Sequence, residues 1–369
     1  MDTLRDAHLW LPGYLARRLA PERRAARRRR RPRDVLFAFA DHFEPEQRPG
    51  DPLELQAGRV AGWIARYEEA ADGHADSRGR PPRHTYFFPE EQYRAEVLSL
   101  LASHCERGFG EVEVHMHHDG DTETAFREKM ARFIERLVAH RLLSRDRAGG
   151  RIGYAFVHGN WSLDNSRLDG RWCGLDNEIT LLRETGCYAD FTMPSAPAGG
   201  GTQTRTVNSI YFADDDPRRP KSHDTGRPVV FGARGSGDLL LIQGPIALNW
   251  RSRSRRIFPR LENGDVSSTS PVTRGRARLW VETGICVAGR EETVFVKVHG
   301  HGLKGRNFDF LLGGGLRAAF ETVEREIGGR FRLHYVTARE MANVVYAYNE
   351  GVDRPVEELF DYRFTPLMR

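Results

Sequence analysis

Four short apolar runs that each stop on a histidine or an aspartate constrain this chain more than any other feature. Val35–Ala40 halts at Asp41-His42-Phe43-Glu44, and Val112–Met116 runs into His117-His118-Asp119. Gly153–Val157 ends on His158, and Val294–Val298 ends on His299. A fifth run, His84–Phe88, is closed by Pro89. Continuous apolar runs of this length suit strands buried on both faces, as in a parallel sheet. Helical stripes separate them: Val60, Trp63, Ile64 and Tyr67; then Val97, Leu98, Leu100 and Leu101; then Phe126, Met130, Phe133, Ile134, Leu137 and Val138. Strand, helix, strand, helix in this rhythm predicts βα units. Further helices are expected over 177–185, 316–327 and 338–350.

Residues 195–275 break the rhythm with Gly, Pro, Asp, Ser and Arg, leaving only Ser209–Phe212 and Leu239–Ile242 as strand candidates. The chain therefore divides into a leader, residues 1–33, and one domain, 34–369, with a long loop-rich insertion at about 195–290. The leader carries ten arginines between Arg17 and Arg33, against a net charge of only +5 for the whole chain. From residue 34 onward acids and bases nearly balance, so no specific nucleic-acid partner is expected. The leader reads as a solvated, partly helical segment, or as a weak contact with a membrane surface or an anionic polymer. Four cysteines without a C-x-x-C pair suggest reduced thiols and a cytoplasmic location, peripheral at the inner membrane surface if the leader touches lipid. Neither a run of about 18 apolar residues nor a signal-like h-region is present.

In parallel α/β folds the C-terminal strand ends meet on one rim, where ligands bind. Asp41-His42, His115-Met116-His117-His118-Asp119 and His299-Gly300-His301 would meet there. Strand alternation puts Glu113, His115 and His117 on one face, and Lys297, His299 and His301 on one face. Three imidazoles within four residues after a buried strand predict a divalent-metal site. Spacing alone does not separate a hydrolase from a metal-storage or oxygenase centre. His8, His74, His104 and His140 have no partner in the pattern and read as structural. Trp161, Asp164, Asn165 and Trp172 suit a saccharide cleft or ordinary packing. Two basic or polar stretches, Lys221–Gly226 with His223 and Asp224, and Arg251, Arg253, Arg255 and Arg256, are candidates for a lid and a basic strip.

The stretch Val35–Pro45 resembles the first motif of the polysaccharide deacetylase superfamily, a buried strand ending in two aspartates. Glu111–His115 resembles the strand entering its second motif, and Phe295–His299 its late strand. His84–Phe88 and Cys173–Pro194 are also similar to family segments. The resemblance covers roughly 34–194 and 290–345. It implies an irregular seven-stranded parallel (β/α) barrel and a metal-dependent hydrolase, with zinc as the ion, that removes acetyl groups from a carbohydrate. Asp41 would be the general base and His299 the general acid. His42 and His115 would be ligands, with the third among His117, His118 and Asp119. His158, Trp161, Asp164, Asn165, Trp172 and His301 would contact substrate. Two departures stand out: His42 replaces the second aspartate, and Asp119 stands where the second histidine belongs. Phe156–Trp161 occupies the place of the family's arginine motif. Two other readings fit the same chain. One is a metal-independent glycoside hydrolase using a carboxylate pair from Asp41, Glu44, Asp119 and Asp190. The other is a barrel that binds saccharide or membrane without catalysis.

Overall fold

A computed structural model describes residues 6–20, 32–254 and 258–368. Arg23, Arg24 and the run Arg27–Arg31, on which the leader's charge reading rests, lie outside the described residues, as do Arg255 and Arg256. Among the described residues no helix is long and apolar enough to cross a membrane.

The first six strands are β1 (Asp34–His42), β2 (His84–Pro89), β3 (Gly110–Met116), β4 (Ser144–Asp146), β5 (Ile152–His158) and β6 (Cys187–Asp190), of which β4 was not expected. They are followed by β7 (Ile210–Ala213), β8 (Arg227–Pro228), β9 (Leu239–Ile242), β10 (Ala247–Ser254), β11 (Phe258–Glu262), β12 (Thr293–Gly300), β13 (Arg332–Tyr335) and β14 (Phe364–Pro366). The architecture is mixed α/β around a mostly parallel sheet. Its path runs β12-β1-β2-β3-β5-β6-β9 in parallel, then turns antiparallel into β7 and β8. The seven-strand count is not what forms. The described sheet has twelve strands, because β7–β9 of the supposed loop-rich insertion join it and β4, β13 and β14 flank it. The ends of the path are linked by the segment 285–288. Ala288 exchanges backbone bonds with Val229 and Phe231 beside β8, and Phe295 of β12 donates to the Ile285 carbonyl. The insertion's remaining strands, β10 and β11, make a separate antiparallel hairpin.

Alternation along the strands sorts two apolar layers. On β1, Val35, Phe37 and Phe39 pack against Val60, Trp63 and Tyr67 of the helix Leu53–Ala71. Leu36, Ala38 and Ala40 face the other way, toward Phe87, Val157, Phe191 and Phe295. Each large apolar side chain so buried contributes roughly 1.5–3 kcal/mol, which fixes the register because a one-residue slip would invert both layers. Helices begin where the sequence offers caps. Thr122 accepts from Ala125 N ahead of Glu123–Ala139, and Thr337 with Glu340 makes a capping box ahead of Ala338–Asn349.

The start of the leader is not a free appendage. Ala7–Leu19 is helical and buries Trp10 and Tyr14 against Ala196, Val207, Ile246 and Ala247 of the insertion. Gly13 is the residue that permits this approach, since a Cβ there would lie 2.2 Å from the Arg205 carbonyl oxygen.

Candidate functional site

The two-residue period of the strands decides which histidines meet. On β1, His42 shares the inner phase of Leu36, Ala38 and Ala40; on β3, His115 lies opposite the outward Val114 and Met116. Their rings stand 4.8 Å apart, and His301 stacks on His42 at 4.5 Å. Glu44 enters the same space: one ligand-competent atom from each of His42, Glu44 and His115 lies within 4.8 Å of the others. His115 Nδ1 is 3.0 Å from the Val157 carbonyl, so it carries the proton and leaves the Nε2 lone pair facing the cluster. That Nε2, and Nδ1 of His42, are buried without a hydrogen-bond partner. Glu44 Oε1 lies 3.6 Å from His115 Nε2, too far for a hydrogen bond, while Oε2 receives Lys304 Nζ at 2.6 Å. Burial works to raise the Glu44 carboxyl, but His115 and Lys304 outweigh it and hold it well below the usual carboxylate range. Burial, and then the neighbouring imidazoles His301 and His115, keep His42 neutral, the state a ligand needs.

His117 stands beside this group, its ring 4.6 Å from that of His115 and its Nε2 3.8 Å from Glu44 Oε1. Its Nδ1 donates to Glu91 Oε1 at 2.6 Å. Burial opposes protonation of this ring, yet Glu91 and Glu44 together raise its pKa. Gly159 lies flat against the His117 ring, where a Cβ would come within 2.3 Å of Cδ2. Next to the cluster opens a cleft of about 430 Å³, walled by Trp161, His299, His301, Asp265, Arg276 and the turn 194–198. A larger cavity of about 650 Å³ lies at the opposite, N-terminal strand ends, near Ile152, Cys187 and Leu240. Two of its arginines are paired, Arg183 with Asp238 and Arg363 with Asp146, so size alone does not make it the site.

Several expected roles are not met. Asp41 falls on the opposite phase from His42 and points toward the helix layer. There Oδ2 is 3.2 Å from His84 Nε2, and Oδ1 accepts from Gly302 N at 2.8 Å. It is a buried anchor for the loop that carries His301, not a base facing the cluster. Asp119 is exposed and accepts from Trp172 N at 2.6 Å, so it is not a ligand of this group. His118 turns away from His117, as adjacent residues in extended chain must, and meets Asp121 and Glu178 instead. His158 falls on the outer phase of β5 and joins His118. His299 does reach the cleft, where burial, and then Lys297 and His301, lower its pKa below the usual imidazole range. Trp161 stays as a substrate-contact candidate, 5.9 Å from His42. Asp164, Asn165 and Trp172 do not border the cleft: Asp164 accepts from Ser222 N, Asn165 donates to Asp176, and Trp172 lies under Arg167. His223 is fully buried under Tyr211 and closes over nothing.

Sequence reading placed Glu44 only in a possible carboxylate pair and passed over Glu91 and Lys304. The signal for Glu44 was its two-residue spacing from His42. Glu91 follows β2 directly, at the same rim as the other strand ends.

Deeper between the strands, Lys297 donates to the carbonyls of Phe191 and Met193, both at 2.7 Å. Burial brings its pKa down to about 7 and that of Asp190 up to about 7. Glu113 accepts from Ala155 N at 2.6 Å and from the Tyr188 hydroxyl. Burial pushes its pKa up to about 8. A carboxyl raised on folding stabilises the fold fully below its unfolded pKa, about 4.3, and that contribution is lost as pH rises toward 8. Urea unfolding at pH 5 and pH 8 should therefore show a smaller stability drop in Glu113→Gln than in the wild type; equal drops would contradict it.

No family model matches the chain, and no curated protein matches it. Among solved structures, the chain is similar to a GH57-type branching enzyme from the hyperthermophilic archaeon Pyrococcus horikoshii, with 10% identity and a TM-score of 0.42, over 83% of this chain and 69% of that one. A likeness of that degree assigns neither family nor activity.

Proposed function

We propose that the chain is a hydrolase acting on a carbohydrate through a divalent ion held by His42, Glu44 and His115, and that it removes an acetyl group. The observation that carries this reading is the convergence of two partnerless, buried imidazole nitrogens on an ionised carboxylate beside an aromatic-walled cleft. Two imidazoles and one carboxylate form a ligand set suited to zinc. When bound, such an ion supplies a Lewis acid and a water whose pKa falls from about 15.7 toward 7.

The chain's own residues do the rest. Lys304 holds one oxygen of Glu44, which leaves the other turned toward His115 and His117. Because Glu91 takes the Nδ1 proton of His117, the Nε2 lone pair faces the cluster and can accept a proton there. The same nitrogen can return that proton to a departing amine. Asp41 acts through the backbone, fastening Gly302 so that His301 stays stacked on His42. Trp161 offers a flat face to a sugar ring.

A second reading is favoured by one observation. Glu44 and Glu91 bracket His117 from its two nitrogens, and two carboxylates across such a gap are what a metal-independent glycoside hydrolase requires. One experiment separates the two. Bound metal is measured on the purified protein, and release of acetate and of reducing ends is followed on acetylated oligosaccharides with and without chelator. Acetate release that is lost on chelation and restored by zinc supports the first reading. Reducing-end release indifferent to chelator overturns it in favour of the second.

A further inference from the structure

Behind the cluster just described, on the helix-facing side of β3 and β5, a second group of ligand-type side chains converges. It comprises His118, His158, Cys173 and Glu178, drawn from the end of β3, the end of β5, the loop 159–177 and the first turn of the helix Glu178–Thr185. All four are buried; His118 is 5% exposed and the other three are fully enclosed. We propose that His118, Cys173 and Glu178 bind a second divalent ion, zinc by the chemistry of its ligands, and that this ion pins the loop 159–177 to the strand ends.

Three observations support it. First, the spacing is that of atoms sharing one small centre: His118 Nε2 lies 3.1 Å from Glu178 Oε1, and Cys173 Sγ lies 3.4 Å from Glu178 Oε2. Ligands at about 2.0–2.3 Å from a tetrahedral ion stand at comparable separations from one another. Second, the outer contacts orient the ligands. Asp121 Oδ2 is 3.2 Å from His118 Nδ1, the carboxylate–histidine arrangement that turns the other nitrogen toward a metal. Asn165 N donates to Cys173 Sγ at 3.3 Å and would support a metal-bound thiolate, whereas burial and Glu178 push the free thiol's pKa up. One thiolate and one carboxylate cancel a dipositive charge, as so enclosed a site requires. Third, His158 Nε2 is buried without a hydrogen-bond partner, 4.0 Å from Glu178 Oε1. Its Nδ1 accepts from Asn160 N and Ser162 N, both at 3.3 Å, so Nε2 bears the proton. His158 is therefore no ligand; it is a donor aimed at the fourth position, where a water would sit. In the ion-pair network of His118 with Asp121 and Glu178, the Cys173 thiol donates to Glu178 Oε2, and the His158 donor is left without a partner.

The loop gives such an ion a purpose. Trp161, Asp164, Asn165 and Trp172 all hold positive φ, costly for residues other than glycine, and a cross-link at Cys173 would keep the segment in place. Trp161, at the start of that loop, is the residue that reaches the cleft.

Cobalt substitution reads this site without any assay of activity, because sulfur reaches the metal here and not at His42, Glu44 and His115. Full-length protein loaded with Co²⁺ should bind two equivalents and show a thiolate-to-cobalt charge-transfer band in the near ultraviolet. Cys173→Ser should abolish the band and lower the stoichiometry to one, whereas His158→Ala should keep both. His115→Ala should lose the other equivalent and keep the band, so failure of the catalytic reading is seen separately. Wild-type protein that binds cobalt without the charge-transfer band, or binds none, overturns the second site, and that result does not depend on any variant folding.

Discussion

Glu44→Gln should lower kcat/KM by roughly a thousand-fold, about 4 kcal/mol in barrier, while leaving the circular dichroism spectrum unchanged. The substitution keeps size and one acceptor but removes the only carboxylate among the three converging residues. Without that charge the two neutral imidazoles of His42 and His115 face Lys304 Nζ, which stood 2.6 Å from the lost oxygen and now repels any cation. Bound metal should fall in parallel, and added zinc should recover activity only at much higher concentration. A variant that retains both metal and rate would remove Glu44 from the machinery. Rate loss with unchanged metal content would point instead to the carboxylate pair of the glycoside-hydrolase reading.

The largest expected effect on stability lies far from the site. Arg339, 3% exposed, grips Glu111 in a two-pronged contact at 2.7 and 3.0 Å and also donates to the carbonyls of Phe360 and Phe364 and to Asp361. Burial alone would raise the Glu111 carboxyl, but Arg339 and Arg83 outweigh it and lower it. Arg339→Met should destabilise the fold by about 3–5 kcal/mol, because the largely enclosed Glu111 is left with less compensation and the C-terminal strand loses its tie. Adding Glu111→Leu should recover part of that loss, the signature of an uncompensated charge. The sign with pH follows: a lowered carboxyl stabilises above its unfolded pKa and loses that contribution as pH falls. Acid unfolding of Arg339→Met should thus be less steep than that of wild type, as followed by urea titration at pH 3–7. Equal stability of variant and wild type would show that the contact carries no net energy.

The sheet was legible in the sequence because its strands are continuous apolar runs ended by polar residues, a pattern that buried parallel strands produce directly. The rim was legible for the same reason. What misled was phase. The alternation that sends His42 inward sends Asp41 outward to His84 and Gly302, so the position the family resemblance marks as the base could not face the cluster. The same alternation separates His158 from Val157 and His118 from His117. Glu91 and Glu178 come from a short turn and a helix start whose place beside β3 is set by tertiary packing, which no local pattern encodes. β13 was missed because Arg332–Tyr335 is short and shows no clear period. It shares one edge of β1 with β2, pairing Asp34–Phe37 while β2 pairs Phe39–His42. Two strands of the insertion, β7 and β9, were visible as apolar runs, but their union with the main sheet was not, and β8, β10 and β11 gave no such signal.

The docked helix Ala7–Leu19 has a consequence for how the chain is made. Trp10 and Tyr14 find their cover on Ala196, Val207, Ile246 and Ala247, residues translated long after them. Throughout that interval the two aromatic rings have no native surface to occupy. Closing so long a loop adds little to the equilibrium cost, since the entropy grows only with the logarithm of length, but such a non-local contact forms slowly. Ala196 sits in the wall of the cleft, so that wall is finished only when a segment translated well before it docks there. A nascent chain stalled before residue 247 lacks both the full cover for Trp10 and Tyr14 and the strand β12 that brings His299 to the cleft.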